Sequence, residues 1–131
     1  MRPSVFLDTV GLVATWDVAD QWHEAATDSY VRLLEEGADT VTTSFVIAEC
    51  GNAAARKRFR NAVDRLRENL EISKQLIHPT PDDWRTARAA YRRGEAGSAG
   101  IVDHLSFVVM RRLGIARVFT NDKHFAAPGS T

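Results

Sequence analysis

Several residue types are scarce in this chain, and each scarcity excludes a class of protein. The 131 residues include one cysteine, Cys50, which excludes an internal disulfide and a thiolate zinc cage. No apolar run approaches the roughly twenty residues needed to span a bilayer. The N-terminal segment has too short an apolar core for a signal peptide and soon reaches an acid, Asp8. We therefore expect a soluble protein of the reducing cytoplasm that does not associate with membranes.

The chain also lacks a net charge, but its charges are unevenly distributed. Residues 1–40 hold 8 acids and 2 bases, a net charge of −6, whereas residues 41–131 hold 9 acids and 15 bases, a net charge of +6. A basic surface attracts phosphates. Because a run of charge is more often an ordinary solvated surface, charge alone does not indicate a nucleic-acid partner.

Short apolar or β-branched runs alternate with segments of helical periodicity, which predicts an α/β fold. We expect one three-layer domain over residues 1–131, in which a central, mainly parallel twisted sheet is flanked by helices. Strands are predicted at residues 4–7, 40–42, 76–78 and 117–119. Helices are predicted over residues 9–14, 21–36, 44 to at least 59 with Ser44 as N-cap, 61–69, 82–92 and 101–113, with a glycine-rich loop at 93–100 and a frayed tail at 126–131.

Four carboxylates stand where a strand or loop passes into a helix: Asp8, Glu49, Asp103 and Asp122. Asp8 and Asp122 follow predicted strands, and ligands of parallel sheets bind outside the carboxyl ends of the strands. If all four meet in one pocket, a hard divalent cation is needed to offset their repulsion. Oxygen-only ligands favour Mg²⁺ or Mn²⁺, and the scarcity of histidine and cysteine disfavours zinc.

Each acid also has an ordinary structural interpretation. Asp8 and Asp103 are favourable charges at helix N-termini, Asp122 is a turn former, and Glu49 is compatible with an exposed helix position. Glu49 fits this interpretation least well because its neighbours are apolar, and a carboxylate in such surroundings needs a partner or an ion. Taken together, the four acids favour a functional site.

Four motifs resemble those of PIN-domain ribonucleases in order and spacing, and most closely those of VapC-type toxins. They are Phe-Leu-Asp-Thr at residues 6–9, Thr-Ser-Phe-Val-Ile-Ala-Glu at 43–49, Val-Asp-His-Leu-Ser-Phe-Val-Val-Met at 102–110, and Phe-Thr-Asn-Asp-Lys-His-Phe at 119–125. The resemblance spans nearly the whole chain. The third and fourth motifs are its most specific parts, because a strand that ends in Asp-Thr is common elsewhere.

The resemblance implies a PIN-like fold and a metal-dependent endoribonuclease that leaves 5′-phosphate and 3′-hydroxyl ends. It also implies that the four carboxylates hold one or two Mg²⁺ or Mn²⁺ ions, and that Thr9 and Thr120 orient them. The implied partners are an RNA substrate, a cognate antitoxin that occludes the site, and a second copy in a homodimer. One departure concerns Gly100, which stands where many relatives carry a serine.

Other polar residues receive simpler interpretations. His104 and His124 follow two of the acids but are expected to be structural. Cys50 is expected to be a small buried residue, since no histidine and acid are positioned to activate it. The candidate phosphate contacts lie in two basic groups, which are Arg56, Lys57 and Arg58, and Arg111 and Arg112.

Three alternatives belong to other functional classes. A phosphatase of the haloacid dehalogenase type needs a second Asp two positions after the first, where this chain has Val10. A phospho-acceptor receiver domain needs an early acidic pair and a strand-borne lysine, neither of which is found. A PIN-like domain that binds RNA or protein without cleaving remains open, and metal-dependent cleavage distinguishes it from a nuclease.

Overall fold

The computed structural model describes residues 3–121, which form an α/β domain of four strands and six helices. Asp122, His124 and the expected tail at residues 126–131 lie outside the described residues. Among residues 3–121, no helix is both long and apolar enough to cross a membrane. The elements in chain order are β1 (Ser4–Leu7), α1 (Thr9–Trp16), α2 (His23–Glu35), β2 (Asp39–Thr43), α3 (Ser44–Ala54), α4 (Arg60–Ile72), β3 (Leu76–Ile77), α5 (Pro81–Arg92), α6 (Ile101–Leu113) and β4 (Arg117–Phe119).

The described strands form one parallel sheet in the order β3-β2-β1-β4. In β1, the consecutive residues Val5, Phe6 and Leu7 are all buried, so both faces of this central strand are covered. Strands covered on both faces are continuously apolar, which is why four residues without alternation were sufficient to identify β1. The prediction of a parallel sheet flanked by helices is confirmed.

The prediction of one helix from Ser44 to at least Phe59 is wrong in two respects. The N-cap is Thr43, whose extended backbone lets its hydroxyl accept from the Val46 amide at 3.1 Å. The helix then ends at Ala54, and a turn leads to α4. Arg56 and Arg60 would stand one helical turn apart in a continuous helix, where like charges are unfavourable. Phe59 instead stacks against Trp16 of α1, with ring centroids 6.1 Å apart.

The remaining helices differ from expectation only at their ends. Thr80 caps α5 through two hydrogen bonds with Asp83. The Thr80 backbone amide donates to the Asp83 carboxylate, and the Thr80 hydroxyl accepts from the Asp83 backbone amide, so the helix begins at Pro81. Gly114 ends α6 with a left-handed backbone, φ 69°, as its position after the last periodic residue predicts.

A close approach between α1 and β4 depends on Gly11. A Cβ atom built at this glycine would lie 2.6 Å from the backbone oxygen of Phe119, a distance that real Cβ atoms essentially never show. The amide of Asp8 also donates to the same oxygen, at 3.1 Å. Gly11 therefore sets how near the first helix lies to the end of β4.

Replacing Gly11 with alanine is expected to destabilise the protein by about 1–3 kcal/mol, because the backbone of β4 must move to admit the methyl group. The measurement is the free energy of unfolding in urea. Gly51→Ala is the matched control: its Cβ meets nothing within 4 Å in α3, so the better helix propensity of alanine should make it neutral or stabilising. Equal stability of the two variants would contradict the assignment.

Candidate functional site

The strand order creates a crevice at the carboxyl ends of β1 and β4. The chain leaves β1 for β2 on one side and later returns to pair β4 on the other. Ligands of open parallel sheets bind at such a switch point. Asp8 directly follows β1 and Thr120 directly follows β4, and the Thr120 hydroxyl donates to Asp8 Oδ2 at 2.7 Å. The sheet thus joins two of the residues that the sequence singled out.

Asp8 is a buried carboxylate whose ionisation is disfavoured. Its exposure is 2%, and it caps α1 by accepting from the Val10 amide at 3.3 Å. Burial is the main cause that raises the pKa of Asp8 from 3.8 to about 7; the Thr120 hydrogen bond opposes this rise and the charge of Asp103 adds to it. A carboxylate in this state is stabilised by a cation beside it.

Glu49 projects from α3 into the same region. The Thr9 hydroxyl, in the first turn of α1, donates to Glu49 Oε1 at 2.5 Å. Burial raises the pKa of Glu49, the Thr9 hydrogen bond opposes the rise, and the charge of Asp103 adds to it. Thr9 and Thr120 therefore each donate to one of the acids, and their role in orienting these acids for a metal stays a prediction.

Asp103 lies in the first turn of α6, and its charge acts on both other acids. Its Oδ2 accepts from the backbone amide of Gly100 at 3.1 Å. Because the donor is a main-chain amide, the contact does not depend on the side chain at position 100. The structure therefore brings Asp8, Glu49 and Asp103 within electrostatic reach of one another, whereas Asp122 lies outside the described residues.

The donor chemistry of these acids fits a hard divalent cation. All the candidate donors are carboxylate oxygens, which Mg²⁺ and Mn²⁺ prefer. Within residues 3–121, no three His, Cys, Asp or Glu side chains are close enough to form a complete metal-ligand group. The charge of Asp103 raises the pKa of both Asp8 and Glu49, although the three acids do not form a closed cage.

Two nearby residues are not suited to the chemistry of the site. Burial raises the pKa of the Cys50 thiol to about 12, and the charges of Asp8 and Glu49 add to the effect. A thiol in this state is a poor nucleophile. His104 is 3% exposed and packs edge-on against Phe107, with ring centroids 5.7 Å apart.

Thr42 is a supporting residue that the sequence analysis did not select. Its buried hydroxyl donates to the backbone oxygen of Leu7 at 2.6 Å, which links the carboxyl end of β1 to β2 immediately before Asp8. A threonine within a strand is common for its β-branched shape alone. No local signal therefore distinguishes Thr42 from an ordinary strand residue.

The PIN domain family model matches residues 5–129 of the chain. The chain belongs to the PIN domain family. No curated protein sequence matches it. The resemblance recognised from the four motifs is therefore confirmed.

Several solved structures share the fold of this chain over almost their whole length. VapC20 of Mycobacterium tuberculosis, a toxin that cleaves the sarcin-ricin loop, is 26% identical, with a TM-score of 0.81 over 97% of this chain and 96% of VapC20. FitAcB of Neisseria gonorrhoeae is 17% identical, with a TM-score of 0.63 over 97% of this chain and 94% of its own. PAE2754 of Pyrobaculum aerophilum is 20% identical, with a TM-score of 0.59 over 100% and 91%. The last two show the fold alone, whereas the PIN family and VapC20 together support a PIN nuclease.

The predicted phosphate contacts of this PIN domain lie in different surroundings. Arg56, Lys57 and Arg58 are exposed in the turn between α3 and α4. Arg111 lines a cavity of about 310 Å³ between α5 and α6. Arg112 forms two hydrogen bonds with Asp83, at 2.9 and 2.8 Å, and the Asp83 side chain is 4% exposed. The guanidinium of Arg112 is thus engaged in joining two helices, which favours a structural role for it.

Asp8→Asn is expected to stabilise the metal-free protein at neutral pH. The folded-state pKa of about 7 exceeds the usual 3.8, so the folded protein binds the proton more tightly than the unfolded chain does. The destabilisation is therefore absent below about pH 4, grows as pH rises and is complete above pH 7. Asparagine retains the N-cap without the charge. Urea unfolding in chelator should show Asp8→Asn more stable by about 1–4 kcal/mol at pH 8.

The control for this comparison is Asp28→Asn, a replacement of an acid on α2 outside the carboxylate cluster. A stability gain for Asp8→Asn that does not change between pH 4.5 and pH 8 would be inconsistent with a buried carboxylate, since only ionisation makes the gain depend on pH.

Proposed function

We propose that this PIN-domain protein is an Mg²⁺- or Mn²⁺-dependent endoribonuclease and the toxin of a toxin-antitoxin pair. The observation that carries the proposal is the convergence of Asp8, Glu49 and Asp103 at the switch point of the sheet. Burial and mutual repulsion raise the pKa of Asp8 and Glu49, and a protein gains no stability from such an arrangement without a cation. Asp122, from the fourth motif, completes the proposed set of ligands.

In this proposal, Asp8, Glu49, Asp103 and Asp122 hold one or two Mg²⁺ or Mn²⁺ ions. Such ions activate water and stabilise the charge that develops during phosphodiester hydrolysis, which leaves 5′-phosphate and 3′-hydroxyl ends. Thr120 holds Asp8 and Thr9 holds Glu49, each through one hydroxyl hydrogen bond, so that both carboxylates keep a fixed orientation. Preorganised carboxylates lose little freedom when a cation binds.

The proposed substrate is a structured RNA. VapC20 cleaves the sarcin-ricin loop and shares the fold of this chain over nearly its full length. That likeness makes an RNA hairpin with the sarcin-ricin sequence the first defined substrate to test. Cleavage of total RNA at another site would support the proposed nuclease activity and change only the proposed target.

The proposed partners include a cognate antitoxin and a second copy of this chain. Residues 1–40 carry a net charge of −6, and α2 with the connection that precedes it exposes Val18, Trp22, Val31 and Leu34. Exposed apolar side chains among charged ones are typical of a protein interface. This surface suits an antitoxin segment that combines apolar and basic residues.

The decisive test is cleavage of total RNA and of the sarcin-ricin hairpin by purified protein, with Mn²⁺ or with chelator. Wild type should cleave only with metal, whereas Asp8→Asn should lose at least about 10²-fold in rate because its neutral amide is a weaker ligand for the ions. Asp28→Asn controls for the removal of an acid elsewhere. Equal rates for Asp8→Asn and wild type would refute the site.

A PIN-like domain that only binds RNA or protein is the alternative outcome. Absence of cleavage in every lane, together with retained binding of RNA by folded wild-type protein, would favour it.

The exposed turn between α3 and α4 is the proposed sequence-independent RNA contact. The stack of Phe59 on Trp16 holds the turn against the last residue of α1, and Asp8 caps the other end of this helix. An eight-residue helix is about 12 Å long, so the turn lies within a few nucleotides of the carboxylates.

Replacing Arg56, Lys57 and Arg58 together with glutamine should weaken RNA binding and flatten its dependence on salt. Each lost phosphate contact lowers the slope of log Kd against log salt by about 0.7 for single-stranded RNA. Fluorescence anisotropy with a labelled RNA, at several KCl concentrations, measures the slope. The matched control replaces three cations that are exposed elsewhere, Lys74, Arg85 and Arg88, with glutamine. A slope unchanged from wild type would show that this turn does not contact the RNA phosphates.

A further inference from the structure

The antiparallel packing of α5 and α6 brings the end of α5 close to the carboxylate cluster. Asp83, in the first turn of α5, bonds Arg112, in the last turn of α6. The last turn of α5 must therefore lie beside the first turn of α6, which carries Asp103. Arg93 and His104 line one cavity, as this arrangement requires.

Tyr91 is the aromatic residue in the last turn of α5, so it lies beside the first turn of α6. Asp83, Ala87 and Tyr91 are spaced at i, i+4 and i+8 and form one stripe of α5. Asp83 is 3% exposed and Ala87 is fully buried, but Tyr91 is 53% exposed. This stripe of α5 is thus buried at Asp83 and Ala87 and becomes exposed at Tyr91, in the last turn of the helix.

The Tyr91 ring packs against the protein through a ring contact and is otherwise largely exposed to solvent. It packs edge-on against His104, with ring centroids 6.0 Å apart and planes at 83°. His104 is buried against Phe107 and directly follows Asp103. A tyrosine held in this way has little conformational freedom to lose when a planar group stacks on it.

The charges around Tyr91 suit a phosphate backbone. Arg92 and Arg93 follow it and are exposed, and the glycine-rich loop begins at Gly94. Arg93 pairs with Glu95, with Nε and Oε2 2.6 Å apart, while Arg92 adds an exposed cation. An aromatic face next to cations is the combination that single-stranded nucleic acids bind, with bases on the ring and phosphates on the cations.

We propose that Tyr91 is a substrate-binding residue that stacks on a nucleobase flanking the scissile phosphate. The proposal rests on the proposed function, since it assigns a role to one residue in recognition of the RNA substrate. A protein segment is the less favoured occupant because the larger exposed apolar surface lies on α2 and the connection before it, whereas Tyr91 is a single aromatic ring beside two arginines.

The test compares wild type with Tyr91→Phe, Tyr91→Leu and Tyr91→Ala on the shortest RNA oligonucleotide that the wild-type enzyme cleaves. Phenylalanine keeps the π face, and leucine keeps the apolar packing against His104 without it. We expect Tyr91→Phe to match wild type, and Tyr91→Leu and Tyr91→Ala to raise KM about 5- to 100-fold with a smaller change in kcat. Thermal unfolding of each variant separates loss of stacking from loss of the fold.

A second arm identifies the base. Oligonucleotides with an abasic site on either side of the scissile phosphate are tested with wild type and with Tyr91→Leu. If Tyr91 stacks on one of these bases, its removal should raise KM for wild type and add little to the defect of Tyr91→Leu. Additive effects at both positions, or an unchanged KM in Tyr91→Leu and Tyr91→Ala, would overturn the proposal while leaving the nuclease intact.

Failure of the proposed function has a different signature. If wild type cleaves no RNA with Mn²⁺, the same variants are compared by anisotropy with a labelled sarcin-ricin hairpin and its abasic derivatives. Weaker binding by Tyr91→Leu but not by Tyr91→Phe would retain the stacking role in a binding domain. Equal binding by wild type and all variants would show that Tyr91 does not stack on the RNA.

Discussion

Asp8 is buried at the end of the central strand and yet lies within electrostatic reach of Asp103, and the rest of the site is arranged around this conflict. Burial and like charge both disfavour its ionised form, whereas the Thr120 hydroxyl and the amides of the first turn of α1 favour it. Burial of the apolar residues of β1 stabilises the fold, whereas burial of the Asp8 carboxylate that follows them destabilises it. Such opposition is common where stability is sacrificed for a ligand site.

The supports of the three described carboxylates come from different elements but share one form. A hydroxyl from the end of β4 holds Asp8, a hydroxyl from α1 holds Glu49, and a main-chain amide holds Asp103. None of these donors carries a full charge, so none of them competes with a cation for the carboxylates. A neutral donor orients an acid without cancelling its negative charge.

The sequence predicted most of this architecture, and its errors have physical causes. The bounds of β1 and β4 were correct because each apolar run ends at a polar residue. The turn after Ala54 was missed because neither glycine nor proline marks it, and its position depends on the distant packing of Phe59 on Trp16. The ion pair of Arg112 with Asp83 could likewise not be predicted from the sequence, since the two residues are 29 positions apart and meet only when α5 and α6 pack. The four acids were selected from their local motifs, whereas the proximity of Asp8, Glu49 and Asp103 depends on how the sheet and helices pack.

The state of Cys50 has a practical consequence. It is the one cysteine of the chain, it is fully buried, and its pKa of about 12 leaves almost no thiolate at neutral pH. Thiol reagents react with the thiolate, so the native protein is almost inert to maleimides. A cysteine introduced at any exposed position can therefore carry a fluorophore or spin label without prior removal of the native thiol.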